Sequence, residues 1–155
     1  MKYAWLLPAL ALGACTEFQQ ALTPAVAAPP AATAPTLDPT PPPPPPRSAR
    51  TVEQFDTTTQ EDRAEALAPV NTGGETRLGT TIASLGNPAD PGIWLETPLV
   101  SALTPGSVKL NGKTVKVELR PSGGAAGSGS EISLAAMRLL NVPLTDLPTI
   151  EVFAN

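Results

Sequence analysis

The sequence lacks histidine altogether and contains a single cysteine. These absences exclude zinc sites built on imidazole or thiolate ligands, and they exclude Ser-His and Cys-His nucleophile pairs. Basic residues are scattered singly and the formal net charge is -4, so no Lys/Arg run is present that could follow a phosphate backbone. We therefore expect no metal, no bound cofactor and no nucleic-acid partner.

Proline is plentiful but unevenly placed, because 12 of the 20 prolines fall at or before Pro46. The front third of the chain therefore cannot pack as a globule. What remains is one small domain of roughly 80 residues, and a domain of that size buries only about 60% of its unfolded surface. We divide the chain into a signal peptide (1–14), a lipidated N-terminus and linker (15–50), a short helix and loop (51–75) and a folded domain (76–155).

The first residues have the features of an export signal. Met1-Lys2 provides a positive start, and Tyr3 to Leu12 is an apolar run too short to span a bilayer. The segment Leu12-Gly13-Ala14-Cys15 resembles the lipobox of the lipoprotein signal peptidase. This resemblance implies cleavage after Ala14 and a diacylglyceryl group on the Cys15 sulfur. The alternative is an ordinary secretory signal with an incidental cysteine.

Lipid on Cys15 would hold the protein at a membrane, since each buried methylene adds about 0.8 kcal/mol of membrane affinity. In the sorting rule that accompanies the lipobox, an Asp after the cysteine favours the inner membrane, and Thr16 occupies that position here. We therefore expect the protein outside the cytoplasm, in the inner leaflet of the outer membrane and facing the periplasm.

The segment from Ala21 to Arg50 is dominated by alanine, proline and threonine and includes the unbroken run Pro41 to Pro46. A polyproline chain rises about 3.1 Å per residue, so this disordered linker could extend on the order of 90 Å. The composition favours a spacer that lifts the domain off the membrane. The alternative is a ligand for SH3-like or other aromatic grooves.

A short helix is predicted after the linker. Thr59 is a suitable N-cap with Asp62 three residues later, and the helix must end before Pro69. Because its apolar residues are mainly alanines, we expect it to bury little. Val52 and Phe55 are candidates to dock onto the domain as an extension.

Extended segments are predicted through the domain at Arg77 to Leu85, Ile93 to Thr97 and Leu99 to Leu103. The strongest local signal is Asn111-Gly112, which supplies the two positive φ values of a type I′ hairpin turn. A two-residue turn pairs Leu110 with Lys113 and Val108 with Val115. Alternation then predicts one apolar and one solvated face; the apolar face holds Val108, Leu110, Val115, Val117 and Leu119, and the solvated face holds Lys109, Thr114, Lys116 and Glu118.

The rest of the domain predicts a flexible loop, a helix and a final strand. Gly123 to Gly129 lacks the spacing of a nucleotide-binding loop. Ser133 can cap a helix over Leu134 to Leu140, with Asn141 in the left-handed position beyond its end. A last strand is predicted over Thr149 to Phe153.

The order of hairpin, polar loop and Ile132-Ser133-Leu134-Ala135-Ala136 before a short helix resembles the double-psi β-barrel of the rare lipoprotein A and lytic transglycosylase family. Gly79-Thr80-Thr81-Ile82-Ala83-Ser84 is similar to that family's first strand, and the likeness covers roughly Gly79 to Val142. It implies a mainly β fold, a small double-psi β-barrel-like domain with one or two short helices. Where the family carries Asn-Asp-Arg-Gly, including its glycan-cleaving acid, this chain has Arg120-Pro121-Ser122-Gly123.

Three other phrases are similar to short bacterial lipoproteins that often carry the name D-galactarate dehydratase: Gln54 to Thr59, Trp94 to Val100 and Ser133 to Arg138. Dehydrating a sugar acid requires abstracting a proton next to a carboxylate and stabilising the enediolate, usually with a metal. The sequence offers no convergent ligand set for that chemistry.

Two classes of function remain. The first is a non-catalytic envelope module that binds cell-wall glycan (peptidoglycan) or a periplasmic protein, with Trp94 as the candidate sugar-stacking residue; core or edge packing is the commoner role of such a tryptophan. The second is an enzyme, either a D-galactarate dehydratase or a lytic transglycosylase-like glycan lyase. Its candidate acids are Glu96 and Asp90, for which solvated loop and edge-strand positions are the commoner outcome.

Overall fold

The computed structural model of the chain describes residues 40–70 and 73–155. The predicted signal peptide, Ala14, Cys15 and most of the predicted linker lie outside these residues. Within them the chain is mainly β, with six strands and three short helices. None of these three helices is both long enough and apolar enough to cross a membrane.

The described elements follow one another as α1 (Val52–Phe55), α2 (Gln60–Leu67), β1 (Thr76–Leu85), β2 (Trp94–Thr97), β3 (Thr104–Leu110), β4 (Lys113–Pro121), β5 (Ser130–Ile132), α3 (Leu134–Leu139) and β6 (Thr149–Ala154). The strands close into a barrel in the order β1-β5-β2-β4-β3-β6. The pairs β1–β5 and β2–β4 are parallel, and the other four pairs are antiparallel. This confirms the prediction of a mainly β, barrel-like domain, although three short helices are present among the described residues where one or two were expected.

The hairpin of β3 and β4 forms as predicted. Asn111 has φ of 50° and Gly112 has φ of 78°, and Leu110 pairs with Lys113. The preceding segment is different, because the extended piece predicted at residues 99–103 is not a strand and β3 begins at Thr104. The Leu99 N–H donates to Thr97 Oγ1 at 3.3 Å, which turns the chain away from the strand direction directly after β2.

Alternating aliphatic side chains fill the barrel. Each strand contributes every second residue to the inside, as the period-two geometry of a strand requires. Most of the inward side chains have no exposed surface, whereas Leu85 and Leu110 are half-buried and pack against the same cluster, as does the buried Met137 of α3. Burying each of these side chains contributes about 1.5–3 kcal/mol; the largest are Leu95, Leu119, Ile132, Ile150, Val108, Val115, Val117 and Val152.

The predicted solvated face of the hairpin is wrong at Lys116. That residue points away from the core, as alternation requires, but only 6% of it is exposed. Helix α2 packs against β4. The helix was expected to bury little, whereas its Ala66 is completely buried in the core cluster. The pattern along β4 could not show this contact, because α2 lies about fifty residues earlier in the chain.

The segment before the barrel is held in place by a buried carboxylate. The predicted cap of α2 is present, since Asp62 N–H donates to Thr59 Oγ1 at 3.1 Å. The Asp56 side chain is only 2% exposed and pairs with Arg138 of α3 at 2.7 Å and with Arg63 of α2 at 3.2 Å. This pair of contacts joins α2 to α3 and fixes the segment against the barrel.

Strand β5 pairs with β2, and helix α3 follows directly after β5. Ser133 caps α3 by accepting from Ala136 N–H at 3.3 Å, and its Oγ also accepts from Trp94 N–H at 3.0 Å. Asn141 has the predicted left-handed φ, 59°. Strand β5 was not predicted, because three residues are too few to show alternation.

Candidate functional site

An open groove of about 850 Å³ lies beside β1, β5 and β2. Volumes of this size are typical of small-molecule sites. Its apolar lining includes Ile82 and Leu147, which are 55% and 65% exposed. Hydroxyl side chains dominate the rest of the lining: Thr80, Thr81, Ser84, Ser122, Ser128 and Thr149.

Two carboxylates lie side by side in this groove. Glu96 of β2 is directly opposite Glu131 of the antiparallel strand β5, and both line the groove. Their neighbours Leu95 and Ile132 point into the core with no exposure, so both carboxylates must project outward. Residues directly opposite in an antiparallel pair have Cβ atoms about 4.5–5.5 Å apart, and like charges there are destabilising.

Neither carboxylate is compensated by the protein within the described residues. No side-chain hydrogen bond or ion pair there involves the carboxylate of Glu96 or of Glu131. Glu96 is half-buried and Glu131 is exposed. The groove therefore presents two adjacent hydrogen-bond acceptors with negative charge, both available to a ligand.

The floor of the groove is a chain of hydroxyl groups. Ser130 Oγ donates to Thr97 Oγ1 at 2.9 Å, and Thr81 Oγ1 is 2.9 Å from Ser130 Oγ. Thr97 is fully buried and Ser130 is 7% exposed. Because this network joins β1, β5 and β2 and its members are satisfied, it holds the floor rigid.

One wall of the groove is the glycine-rich loop at residues 122–129. Ser122 N–H donates to the Thr97 carbonyl at 3.1 Å, which fixes the start of the loop to the end of β2. Gly129 has φ of 85° at its other end, a conformation that favours glycine. The start of the loop is thus fixed beside β2, and its other end leads directly into β5, which carries Glu131.

Asp90 and Glu96, the two acids predicted from the sequence, are not brought together. Asp90 does not line the groove; it pairs with Arg120 Nη1 at 2.9 Å. Arg120 Nε also contacts Glu118 at 2.6 Å. The arginine at the position of the family's acidic segment is therefore shared between two carboxylates, and Asp90 has a structural partner.

Trp94, the predicted stacking residue, is 2% exposed. Its Nε1 is 3.4 Å from the Asp90 carbonyl oxygen, and the Arg120 guanidinium lies 5.0 Å from the ring centre, where cation–π attraction is favourable. A Cβ added at Gly86 would lie 2.5 Å from Trp94 Cη2, so the ring packs directly on that glycine. The ring has no exposed face for a sugar in this conformation.

Sequence reasoning missed Glu131, which is the partner of Glu96 in the groove. In the structure Ser130-Glu131-Ile132 alternates between buried, exposed and buried residues, but the sequence shows this only as a charged residue next to an apolar one. Three residues are too short to identify a strand, and the opposite position Glu96 is more than thirty residues away. The pairing of β2 with β5 alone brings the two acids together.

A second polar cluster lies on β3 and none of its residues lines the groove. Glu75, whose side chain is 6% exposed, accepts from Lys109 Nζ and from Ser107 Oγ, each at 2.9 Å. Lys109 Nζ also lies 4.0 Å from the centre of the Phe153 ring. The Lys109 hydrogen bond is the main cause that lowers the pKa of Glu75; burial opposes it and Ser107 assists it.

Among the described residues, no three acidic, histidine or cysteine side chains converge as a metal site. Comparisons with protein-family models, with curated proteins and with solved structures give no match. The groove with its paired acids therefore supplies the argument for function.

Proposed function

We propose that this chain is a membrane-anchored envelope lipoprotein whose barrel binds cell-wall glycan without cleaving it. The observation that carries the proposal is the open groove in which Glu96 and Glu131 are unpaired beside a floor and walls of hydroxyl groups. Sugar hydroxyls and the amide groups of glycan-linked peptides are donors that such acceptors would bind. A ligand that donates to both carboxylates would also relieve their mutual repulsion.

The anchor is the part of the proposal that rests on sequence. A positive start, an apolar run and the lipobox-like segment ending in Cys15 support export and lipidation. The linker that follows would then hold the barrel in the periplasm, at the inner leaflet of the outer membrane. From there the groove would face the wall.

We also propose that the barrel is of the double-psi type. Its six strands close with two parallel pairs, β1–β5 and β2–β4, separated by antiparallel pairs. A parallel pair requires a crossover connection, and two crossovers in so small a barrel support this proposal. In the family that the sequence resembles, the same fold carries a glycan site.

The test is co-sedimentation of the full chain with purified peptidoglycan sacculi. Wild-type protein should pellet with sacculi, and the double variant Glu96→Gln/Glu131→Gln should lose most of this enrichment. The matched control is Glu61→Gln/Glu151→Gln, which removes the same charge from residues outside the groove. Wild-type protein that pellets no better than an unrelated protein would overturn the proposal.

A second candidate, glycan cleavage, is favoured by the same pair of acids, because glycosidases use two carboxyl groups flanking the scissile bond. Against it, a general acid at neutral pH usually lies in an apolar pocket, whereas Glu131 is exposed on an open groove. Release of soluble muropeptides from sacculi by the wild-type chain, abolished by Glu96→Gln, would establish cleavage. Binding without release would retain the first proposal.

A further inference from the structure

The proline run of the linker lies against the barrel along one of its faces. Pro42 and Pro45 are half-buried, whereas the other four prolines of the run, Pro41, Pro43, Pro44 and Pro46, are exposed. A polyproline helix has three residues per turn. Burial of every third residue is therefore the pattern of a polyproline helix that rests on a surface.

The surface beneath the run is the region of Gly92 and Trp94. A Cβ added at Gly92 would lie 3.8 Å from Pro42 Cδ and 3.8 Å from Trp94 Cδ1. Gly92 itself has φ of 103°, which favours glycine and leaves no side chain between the proline and the indole. Pro42 Cδ and the Cδ1 edge of the indole therefore both lie next to the same glycine.

The burial of Trp94 comes from outside the barrel. Trp94 is not part of the hydrophobic cluster that fills the core. Its neighbour Leu95 points inward, so the Trp94 side chain points to the outside of the barrel. Its ring lies on the outer surface, between Gly86, the Asp90 carbonyl and the Arg120 guanidinium. Gly92, which Pro42 approaches, lies on the Cδ1 side of this ring.

The C-terminal end of the run is fixed to the domain. Ala49, which is 4% exposed, donates its N–H to the Pro46 carbonyl at 2.8 Å. The chain then enters α1 and reaches Asp56, whose carboxylate pairs with Arg138. A run held at one end needs little additional free energy to remain docked, because the loss of freedom on docking is already reduced.

We propose that the outer surface formed by Gly92, Trp94 and Arg120 is a polyproline-binding surface, occupied by residues 40–46 of the same chain. Aromatic surfaces bind polyproline helices because the helix is preformed and loses little entropy on docking. The tether then leaves the barrel near residue 40. Its extended reach falls from about 90 Å to about 60 Å at about 3.1 Å per residue.

Displacement of the run would uncover an aromatic ring next to the groove. Gly86 marks this proximity, because a Cβ there would lie 2.5 Å from Trp94 Cη2 and 3.4 Å from Glu131 Cβ. The docked run would then shield Trp94, the indole that lies next to Glu131. This inference does not depend on what the groove binds.

Tryptophan fluorescence tests the proposal. The full chain carrying Trp5→Phe retains Trp94 as its single tryptophan, so acrylamide quenching reports the exposure of that ring alone. The variant Pro42→Ser/Pro45→Ser should raise the quenching constant several-fold and shift the emission to longer wavelength. The matched control Pro43→Ser/Pro44→Ser changes two exposed prolines of the same run and should leave both values unchanged.

Circular dichroism shows whether the barrel is intact in each variant. If the first pair of substitutions disturbs the fold, replacing residues 40–46 by a Gly-Ser segment of equal length provides the second test, again with increased quenching expected. Equal quenching in the parent, the Pro42/Pro45 variant and the replaced chain would overturn the proposal. An equal increase in the Pro43/Pro44 control would also overturn it, because the effect would not follow the buried face.

Discussion

The ion pair between Asp56 and Arg138 should hold the segment before the barrel more strongly than an ordinary surface pair. We would measure it with a double-mutant cycle made of Asp56→Ala, Arg138→Ala and the double variant. The pair of Arg77 and Glu151 provides the matched control in the same chain, because its two side chains are 54% and 48% exposed. Both cycles use the free energy of unfolding in urea, followed by circular dichroism.

The expected magnitude follows from the exposure of the two partners. The Asp56 side chain is 2% exposed, whereas Arg138 is 34% exposed and Arg63 still contacts the carboxylate. Removing one partner of a fully buried pair costs about 3–5 kcal/mol, whereas an exposed pair contributes about 0–1 kcal/mol. Because only one partner of this pair is fully buried, we expect an intermediate coupling free energy of about 2 kcal/mol. For a domain of roughly 80 residues, a loss of about 2 kcal/mol of unfolding free energy lowers Tm by about 8–16 °C.

The control should give a coupling free energy below about 0.5 kcal/mol, because both of its partners are hydrated. If the two cycles give equal values, the reasoning is refuted and the Asp56 carboxylate does not hold the segment. Limited proteolysis gives an independent measurement. Cleavage within residues 51–67 should become faster in Arg138→Ala at temperatures where the barrel remains folded.

Three further predictions concern pH, packing and the anchor. The hydrogen bond from Lys109 lowers the pKa of Glu75 below its ordinary 4.5. The contribution of the Glu75 carboxylate to the unfolding free energy is therefore present above about pH 4.5 and is lost on acidification. In urea titrations, Glu75→Gln should reduce the difference in stability between pH 7 and pH 3. A Cβ at Gly106 would overlap the Phe153 carbonyl oxygen where β3 meets β6, so Gly106→Ala should lower the unfolding free energy by about 3 kcal/mol in thermal unfolding. The control is Gly74→Ala, which has open space around it and should change stability by less than about 0.5 kcal/mol. Cys15→Ala should abolish incorporation of labelled palmitate, and wild-type protein that incorporates none and stays in the soluble periplasmic fraction would contradict the anchor.

The paired acids show where sequence reasoning stops. Glu96 could be named as a candidate because it is an acid at the edge of a predicted strand. Its partner Glu131 could not, since strand β5 has only three residues and pairs with β2 across more than thirty residues of chain. Asp90 was an equally reasonable candidate, and only the position of Arg120 shows that it has a structural partner.

Local chemistry in the sequence was sufficient for the turn at Asn111-Gly112, the cap at Thr59 and the left-handed position at Asn141, because each depends on a few adjacent residues. Contacts between distant segments required the tertiary structure. The burial of Lys116, the pairing of Glu96 with Glu131 and the burial of Trp94 all depend on which surfaces meet when the barrel closes. Alternation tells which way a side chain points from its strand; the elements that pack on that face decide whether it meets water, another charge or protein.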